Sequence, residues 1–301
     1  MNNAVNAAKK PSVAKGRRYL GSEIVFNLII FLCVLLCIIP VIHVVALSVS
    51  GRNAVMSNRV FLLPKDLDMK AYQSVFLDAS MIRSLGFSIA LTVGYTAFAM
   101  FCSILLAYPL SKPDLPGQKW MMVFILIPMY FSGGTIANYL WVKQMGLIDS
   151  PWSLVWPVLI STYNVIIMRN FFASIPVSLE ESARLDGCND FQILLQIVLP
   201  LSTASLATIA LFYAVSRWNS FADVRYYINS TKYYTLQMKL YQVVFNSTDT
   251  QVAAVEGGKN AVLSETIKAA AIVFSTVPII IVYPFLQKYF VKGMTIGAIK
   301  G

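Results

Sequence analysis

Few side chains in this sequence could carry out catalysis, and they are not arranged as a catalytic site. The sole histidine, His43, lies in an apolar run without an acid or a motif serine placed to form a hydrolytic triad. Gly257-Gly258-Lys259 is not a phosphate-binding loop, because Ala253 replaces the first glycine and Asn260 replaces the hydroxyl residue. We therefore expect no enzyme, no metal site and no directly bound cofactor.

The densest group of charged side chains consists of four acids within eleven residues: Glu180, Glu181, Asp186 and Asp190. Acids presented on a rigid surface element suit docking into a cleft of a soluble partner. The alternative that the residues alone leave open is an ordinary hairpin of helices at a membrane interface. Either interpretation requires a defined local structure around the acids.

Local signals predict a helix, a glycine elbow and a second helix in this segment. Ser178 is placed as the N-cap of the first helix, with Glu181 as its capping-box partner. Gly187 is the expected left-handed residue that ends this helix. Asn189 or Asp190 can cap the second helix, which Pro200 ends.

The elements that position this segment must be apolar. Of the 301 residues, 57% are hydrophobic and only 13% are charged, whereas about 25% of an ordinary soluble domain is charged. Mean hydropathy is +0.65. This composition excludes a disordered chain and a disulfide-stapled secreted module. It also excludes a nucleic-acid binder, because the net charge of +10 is diluted through apolar sequence. We expect an all-α, polytopic membrane protein.

Six runs without Asp, Glu, Lys or Arg approach or exceed the roughly 20 residues that a helix needs to cross a bilayer. They predict spans at 24–51, 84–111, 120–142, 150–168, 191–216 and 269–287. The start of the fifth span has an alternative interpretation, in which 191–199 form a surface helix that Pro200 separates from the span. The first run greatly exceeds the apolar region of a signal peptide, so we expect it to be retained.

Orientation depends on the first span, because the loops divide the Lys and Arg residues evenly, twelve to each side. Five basic residues in 1–23 favour a cytoplasmic amino terminus. This places both termini, including the tail 292–301, and the loop 170–200 in the cytoplasm, and the loop 217–268 outside. Residues 24–291 then form one membrane domain, and no predicted outer loop contains a cysteine.

The acidic loop resembles a known signature. Glu181-Ser182-Ala183, three more residues, Gly187, nine more, and Ile197-Val198-Leu199-Pro200 match the spacing found in permease subunits of binding-protein-dependent ABC importers. Ser182 and Cys188 stand where alanine is usual, and both are also small residues. The resemblance implies a coupling helix that fits a groove on an ATP-hydrolysing subunit, through Glu180, Glu181, Ser182, Ala183, Asp186, Gly187, Ile197, Leu199 and Pro200.

Other segments narrow the resemblance to the smaller permease of maltose-type carbohydrate importers. They are 131–140, 164–172, 218–221 and the carboxyl-terminal 293–301. By resemblance, the tail contacts the ATPase subunits through Thr295, Gly297 and Lys300. A mobile terminus is the alternative.

The implied setting is the bacterial cytoplasmic (inner) membrane. The implied partners are membrane lipid, a second permease forming a heterodimer, two ATP-binding subunits that hold ATP and Mg, and an extracytoplasmic solute-binding protein. No nucleic acid is expected. The implied cargo is a carbohydrate, an oligo- or polysaccharide, and the branch that the chain resembles includes importers of uronate-rich glycans such as alginate.

Polar residues within spans are candidates for the substrate path, because polar groups in a bilayer are costly. Asn138, Tyr163 and Asn164 are the candidates in spans, with interhelical hydrogen bonding as the alternative role. Ser132-Gly133-Gly134 weakens the third helix, for substrate approach or for tight packing. Trp218 and Asn219 begin an outer loop rich in aromatic residues, which suit either sugar stacking or an interface belt. Its cations could face an acidic substrate or partner: Arg217, Arg225, Lys232 and Lys239.

An ion-coupled secondary sugar carrier or a channel is the alternative function. Such proteins usually have buried charges or paired broken helices in two related halves. The predicted spans contain no charge, and the sequence has no evident internal repeat. Uptake of the sugar into vesicles that have an ion gradient but no ATP would favour the carrier over the ATP-driven importer. The sequence does not identify the sugar, although a net positive outer side is compatible with an anionic glycan.

Overall fold

The computed structural model describes the backbone of residues 20–245 and 264–298, and the side chains of 23–245 and 264–284. In these ranges the chain is helical, with a single isolated antiparallel bridge between Ser50 and Leu67. The helices are α1 Leu20–Ser48, α2 Arg52–Met56, α3 Lys70–Leu77, α4 Ala79–Leu110, α5 Gln118–Tyr130, α6 Gly134–Gln144, α7 Thr162–Ala173, α8 Val177–Leu185, α9 Asp190–Ile193, α10 Leu199–Leu201, α11 Thr203–Asn219, α12 Ala222–Tyr227, α13 Leu236–Phe245 and α14 Ser264–Ala298.

Within the described ranges, three continuous helices are long and apolar enough to cross a membrane: Glu23–Ser48, Ala79–Leu110 and Ser264–Pro284. They correspond to the first, second and sixth predicted spans. The other three predicted spans are bent pairs of helices, so the described chain reaches six spans when each pair counts as one. The pairs bend by 114°, 53° and 84°, and are Gln118–Tyr130 with Gly134–Gln144, Pro151–Val158 with Thr162–Ala173, and Asp190–Leu201 with Thr203–Asn219.

Each bend has a local cause. In the third span, Phe131 is extended and Gly134 takes a φ of 77°, a left-handed conformation that glycine adopts without strain. In the fourth, the bend follows Val158, and Ser161 is extended and caps α7 by accepting a hydrogen bond from the Asn164 amide. In the fifth, the bend is at Ser202, two residues beyond the predicted break at Pro200. Pro200 follows the π turn over Leu194–Val198 and does not end the helix, which continues to Leu201 before Ser202 leaves the helical conformation.

The core lies where α4 packs against α7 and α11. One stripe of α4 is buried at four-residue intervals, which places its members on one helix face. The stripe begins with two larger residues and continues with small ones: Leu91, Tyr95, Ala99, Ser103 and Ala107. Small residues allow neighbouring helices to approach closely. By contrast, no residue in the most apolar window of α1 is buried, which suits contact with lipid.

The spans connect two ends of the bundle. The Gly187 end comprises residues 111–117, α8 and α9, and the Asp149 end comprises 145–150, α12 and α13. The part of the predicted outer loop that the structure describes is folded rather than open. Leu236, at the start of α13, is fully buried, and its amide donates a 2.7 Å hydrogen bond to Ser88 Oγ on α4. Residues 246–263 of that loop lie outside the described residues.

Candidate coupling loop and transport path

The elbow at Gly187 has the predicted form, but its first helix begins differently. Pro176, not Ser178, is the N-cap of α8. The fixed φ of proline is already suited to a helix start, so Ser178 lies within the first turn and its carbonyl accepts a hydrogen bond from Ser182 Oγ. The predicted capping box between Ser178 and Glu181 is therefore wrong.

The end of α8 confirms the prediction for Gly187, which has a φ of 85°. Its amide donates to the Arg184 carbonyl at 3.1 Å, and the Cys188 amide donates to the Ala183 carbonyl at 3.0 Å. This pair of bonds is the Schellman arrangement, which satisfies carbonyls at a helix end. The elbow is thus a closed, hydrogen-bonded turn.

The second helix starts with the predicted cap at Asn189. Asn189 Oδ1 accepts a hydrogen bond from the Gln192 amide, and Gln192 Oε1 accepts one from the Asn189 amide, forming a complete capping box. After Ile193 the chain forms a π turn over Leu194–Val198. Ile193 and Val198 are fully buried, so this segment is anchored in the core.

The predicted coupling residues lie on different faces of the loop. Glu181, Ser182, Asp186, Gly187 and Pro200 are exposed, Ile197 and Leu199 are half-buried, and Glu180 and Ala183 are buried. Among the exposed residues of α8 is Leu185, whose exposed fraction is 89%. An apolar side chain in an acidic helix was a usable signal for this residue, but the spacing signature does not include it.

Glu180 contacts the spans rather than the surface. Its Oε2 accepts a hydrogen bond from Lys112 Nζ, two residues after α4 ends. The side chains of Lys112 and Glu180 are 21% and 10% exposed. Lys112 Nζ also lies 4.5 Å from the centre of the Tyr108 ring, a cation–π contact. Sequence reasoning missed Lys112, whose signal is that it is the first charge after the second apolar run.

A second ion pair bridges the elbow at its surface. Arg184 donates to Asp190 at 2.9 Å, and both side chains are more than half exposed. Between this pair and the end of α4 lies a cavity of about 470 Å³. Its wall combines apolar and charged residues: Leu105, Tyr108, Lys112, Asp114, Arg184, Asp190, Phe191 and Leu194 among them.

At the Asp149 end, an acid joins two loops. Asp149 Oδ1 accepts hydrogen bonds from the amides of Asn229 and Ser230, and its Oδ2 accepts one from the Ser230 hydroxyl at 2.5 Å. These bonds hold the pKa of Asp149 below its usual value, and the bond from the Ser230 hydroxyl has the largest effect. The loop before the fourth span is thereby fixed to the chain after α12.

The prediction that Arg217 faces an acidic substrate is wrong. Its side chain is 1% exposed and donates a 2.5 Å hydrogen bond to Asp223, which is 15% exposed. A second guanidinium nitrogen donates to the Leu154 carbonyl at 2.6 Å, and the guanidinium carbon lies 5.8 Å from the centre of the Tyr95 ring. Arg217 therefore joins α11 to α12, to the fourth span and to α4.

The remaining cations of this end have different surroundings. Arg225 lies over the Tyr241 ring at 4.7 Å and donates to its hydroxyl. Lys232 lies over the Tyr233 ring at 4.5 Å, and both cations are exposed. Lys239 Nζ lies 3.8 Å from Asp78. The Tyr241 ring also stacks on Phe221 and contacts Phe245.

The structure does not bring the predicted path residues into one polar cluster. Asn138 on α6 and Tyr163 on α7 are exposed, and Asn164 is buried. Trp218 is buried, with an indole N–H that has no partner, and Asn219 donates to the Val215 carbonyl of its own helix. No hydrogen bond joins these five residues in the described structure.

A groove of about 1010 Å³ runs between α4, α5 and α7. Its wall is apolar except for Thr162, and it includes Leu106, Pro109, Trp120, Phe124, Ile127 and Ile160. Within the side chains described, no three His, Cys, Asp or Glu residues converge where a metal ion could bind. The backbone at Thr295 and Gly297 belongs to α14, but their side chains and all of Lys300 lie outside the described residues. Their contacts with an ATPase stay a prediction.

Comparison with known proteins identifies the architecture. Residues 99–296 match the family model described as binding-protein-dependent transport system inner membrane component. The polygalacturonan/rhamnogalacturonan transport system permease protein YtcP of Bacillus subtilis (strain 168) is 44% identical over 268 residues, which are 89% of this chain and 94% of that protein. Protein LplC of the same organism is 43% identical over 265 residues, 88% and 90% of the two chains.

A solved structure agrees in fold and in sequence. It is the crystal structure of a bacterial ABC transporter involved in the import of the acidic polysaccharide alginate, and one of its chains is 34% identical. The match covers 93% of this chain and 99% of that one, with a TM-score of 0.85. Together with the membrane-length helices, these matches show that the chain belongs to the inner-membrane components of binding-protein-dependent transport systems and is a sugar ABC transporter permease.

Proposed function

We propose that this permease moves an acidic oligo- or polysaccharide across the cytoplasmic membrane, driven by ATP hydrolysis on partner subunits that contact its Gly187 elbow. The observation that carries the proposal is the elbow itself. Its closed turn presents Glu181, Asp186 and the 89% exposed Leu185 on one outward surface. An exposed apolar anchor ringed by charge is typical of a protein interface.

The assembly that suits this surface contains a second permease, two subunits that bind ATP and Mg, and a solute-binding protein outside. The family description names dependence on a binding protein. The chain has no phosphate-binding loop, so ATP is hydrolysed elsewhere. The basic residues ahead of α1 support cytoplasmic termini, which places the Gly187 end on the side where ATP is available.

An acidic cargo is supported by two observations. The relatives described above are named for polygalacturonan/rhamnogalacturonan and for alginate, and polygalacturonan and alginate are polymers of uronic acids. At the Asp149 end, Arg225 and Lys232 are exposed, and each lies over a tyrosine ring. Exposed cations suit the carboxylates of a uronate, and the ring contacts hold these two cations in place.

The direct test is uptake by the assembled importer in liposomes with its solute-binding protein. We expect accumulation of an oligogalacturonate or an oligoalginate with ATP inside the vesicle, and little accumulation of a neutral oligosaccharide of equal length. Equal uptake of the neutral sugar would overturn the proposed substrate class. Uptake driven by an ion gradient without ATP would instead support a secondary carrier and contradict the proposed mechanism.

The surface cations offer a narrower test of the same proposal. Replacing Arg225 and Lys232 with glutamine is expected to lower uptake of the uronate about tenfold, equivalent to about 1.4 kcal/mol. Lys143→Gln is the matched control, because Lys143 is also an exposed cation close to the Asp149 end, at the end of α6. Equal effects of the two changes would indicate that only the overall charge matters.

A further inference from the structure

We propose that Lys112 and Glu180 form an internal latch through which movement of α8 is passed to α4. Glu180 is then a positioning residue inside the permease and not an ATPase contact. The proposal rests on the proposed function of the Gly187 elbow. It assigns the two faces of α8 to different tasks, docking for the outward face and transmission for the inward face.

The two faces follow from helix geometry. Residues adjacent in sequence are about 100° apart around a helix, so neighbours can point to opposite environments. Glu181 is exposed, whereas Glu180 and Ala183, three residues apart, are buried on the face toward the spans. The Glu180 carboxylate contacts Lys112 Nζ, and Lys112 follows directly on the cap of α4. The contact therefore joins the middle of α8 to the end of a 32-residue helix.

The helix α4 connects this contact to the break in the fourth span. Tyr95 on α4 donates a 2.6 Å hydrogen bond to the Val158 carbonyl, just before the break. The hydroxyls of Ser103 on α4 and Tyr213 on α11 form a 2.7 Å hydrogen bond. The Tyr213 hydroxyl also accepts a 3.2 Å hydrogen bond from the amide of Ser161, the N-cap of α7 on the other side of the break. Both sides of the break are thus tied, directly or through Tyr213, to the helix that Glu180 holds.

The surroundings of the latch leave space for a shift of α8. The cavity of about 470 Å³ lies between the end of α4 and the α8–α9 elbow. Tyr108, beside Lys112, has a buried hydroxyl without a partner, in the electrostatic field of Glu180. A partly buried ion pair suits transmission because separating it would leave a poorly solvated charge unpaired. A shift of Glu180 with α8 is therefore expected to carry Lys112 and the end of α4 with it.

The test uses the assembled importer in liposomes with its binding protein and an oligogalacturonate or oligoalginate. The glycan moved per ATP hydrolysed is compared for wild type, Lys112→Glu, Glu180→Lys and the double charge reversal. We expect each single reversal to lower this ratio about tenfold, within the usual range of coupling energies. The ATPase subunits should still co-purify, and the double reversal should recover most of the ratio.

The matched control is an ion pair outside the Gly187 end, Lys70 with Asp68, whose side chains are 51% and 35% exposed. The reversals Lys70→Asp and Asp68→Lys are expected to leave the ratio unchanged within about twofold, since exposed pairs contribute little. If the single reversals do not assemble, Glu180→Gln replaces them, because it keeps the shape of the side chain and removes its charge. It is expected to lower the ratio as well.

Two results would overturn the latch: a wild-type ratio in the variants, or a double reversal that is no better than the single ones. Glu181→Lys separates this failure from a failure of the proposed function. If Glu181→Lys abolishes substrate-stimulated ATP hydrolysis while the latch variants are silent, only the latch is wrong. If Glu181→Lys leaves that stimulation at the wild-type level, the elbow does not receive the ATPase and the proposed function is wrong.

Discussion

The two ends of the bundle use their charged residues in opposite ways. At the Gly187 end, most charges are exposed, including Arg184 and Asp190, and only Lys112 and Glu180 are turned inward. At the Asp149 end, the Arg217 side chain is buried and pairs with Asp223, which is 15% exposed. The difference indicates that the Gly187 end offers most of its charges to a partner, while the Asp149 end uses Asp149, Arg217 and Asp223 to fix its own loops and keeps Arg225 and Lys232 exposed.

The space and the hydrogen bonds around the charges differ in the same way. The Gly187 end has a cavity beside its ion pair. The Asp149 end has Arg217 bonded to two separate elements and Asp149 bonded to a third segment. We therefore expect substitutions of Asp149 and Arg217 to affect stability first, and substitutions of Lys112 and Glu180 to affect coupling first.

The largest effect on stability is expected for Arg217→Met. Removing one partner of a buried ion pair leaves Asp223 unpaired, at a cost of about 3–5 kcal/mol. Thermal unfolding of the purified protein in detergent measures the loss. Arg225→Met is the control, because Arg225 is exposed and its ring contact contributes about 1 kcal/mol or less. Equal losses in the two variants would show that burial of Arg217 does not govern the stability of this end.

A smaller loss is expected for Gly187→Ala. No atom lies within 4 Å of the added Cβ, but the φ of 85° disfavours any side chain, at a cost of about 1–2 kcal/mol. Gly86→Ala makes the same change in open space within α4 and is expected to be neutral or stabilising. Thermal unfolding compares the two, and a loss of stability in Gly86→Ala alone would contradict the assigned role of Gly187.

The stabilisation from Asp149 is expected to depend on pH. A carboxyl group whose pKa is lowered by folding stabilises the protein above its unfolded pKa, which is near 3.8 for Asp149. The stabilisation is therefore complete at neutral pH and is lost as the pH falls through the lower, folded pKa.

Unfolding of wild type and Asp149→Asn, followed from pH 7 downward, tests this dependence. The variant should be less stable at pH 7, and its difference from wild type should shrink below about pH 4. Asp114→Asn, an exposed change at the Gly187 end, serves as the control. A difference between wild type and Asp149→Asn that does not change with pH would exclude ionisation of Asp149 as the cause.

The smallest effect is expected for Arg184→Ala. The pair with Asp190 is more than half exposed, and such pairs contribute about 1 kcal/mol or less. The loss should diminish further in high salt, because ions screen exposed charges. If Arg184→Ala lowered the thermal stability as much as Arg217→Met, the inferred difference between the exposed charges of the Gly187 end and the buried Arg217 would be contradicted.

The sequence predicted the parts of the fold that depend on local signals. The charge-free runs identified the apolar helices, Gly187 was predicted as the left-handed end of α8, and Asn189 was predicted as a cap. The cap at Ser178 was wrong because Pro176 begins the helix two residues earlier. The bend at Ser202 was missed because the helix continues through Pro200 after a π turn, and the sequence does not reveal that turn.

The partners of charged residues were beyond prediction from spacing. Lys112 and Glu180 are 68 residues apart, and Asp149 and Ser230 are 81 apart. Only the packing of the spans brings the partners together, so in the sequence each of these residues looks like an isolated charge in a loop between spans. Arg217 was assigned to a substrate surface for the same reason, although Asp223 lies only six residues away.

The central claim is that α8 presents one face to the ATPase and the other to its own spans. In a background where Cys33, Cys37, Cys102 and Cys188 are replaced by serine, single cysteines at 181, 185 and 180 carry a short thiol-reactive photo-crosslinker in the assembled importer. We predict crosslinks to the ATPase subunit from positions 181 and 185, and none from position 180. Equal crosslinking from position 180, or none from 181 and 185, would contradict the account.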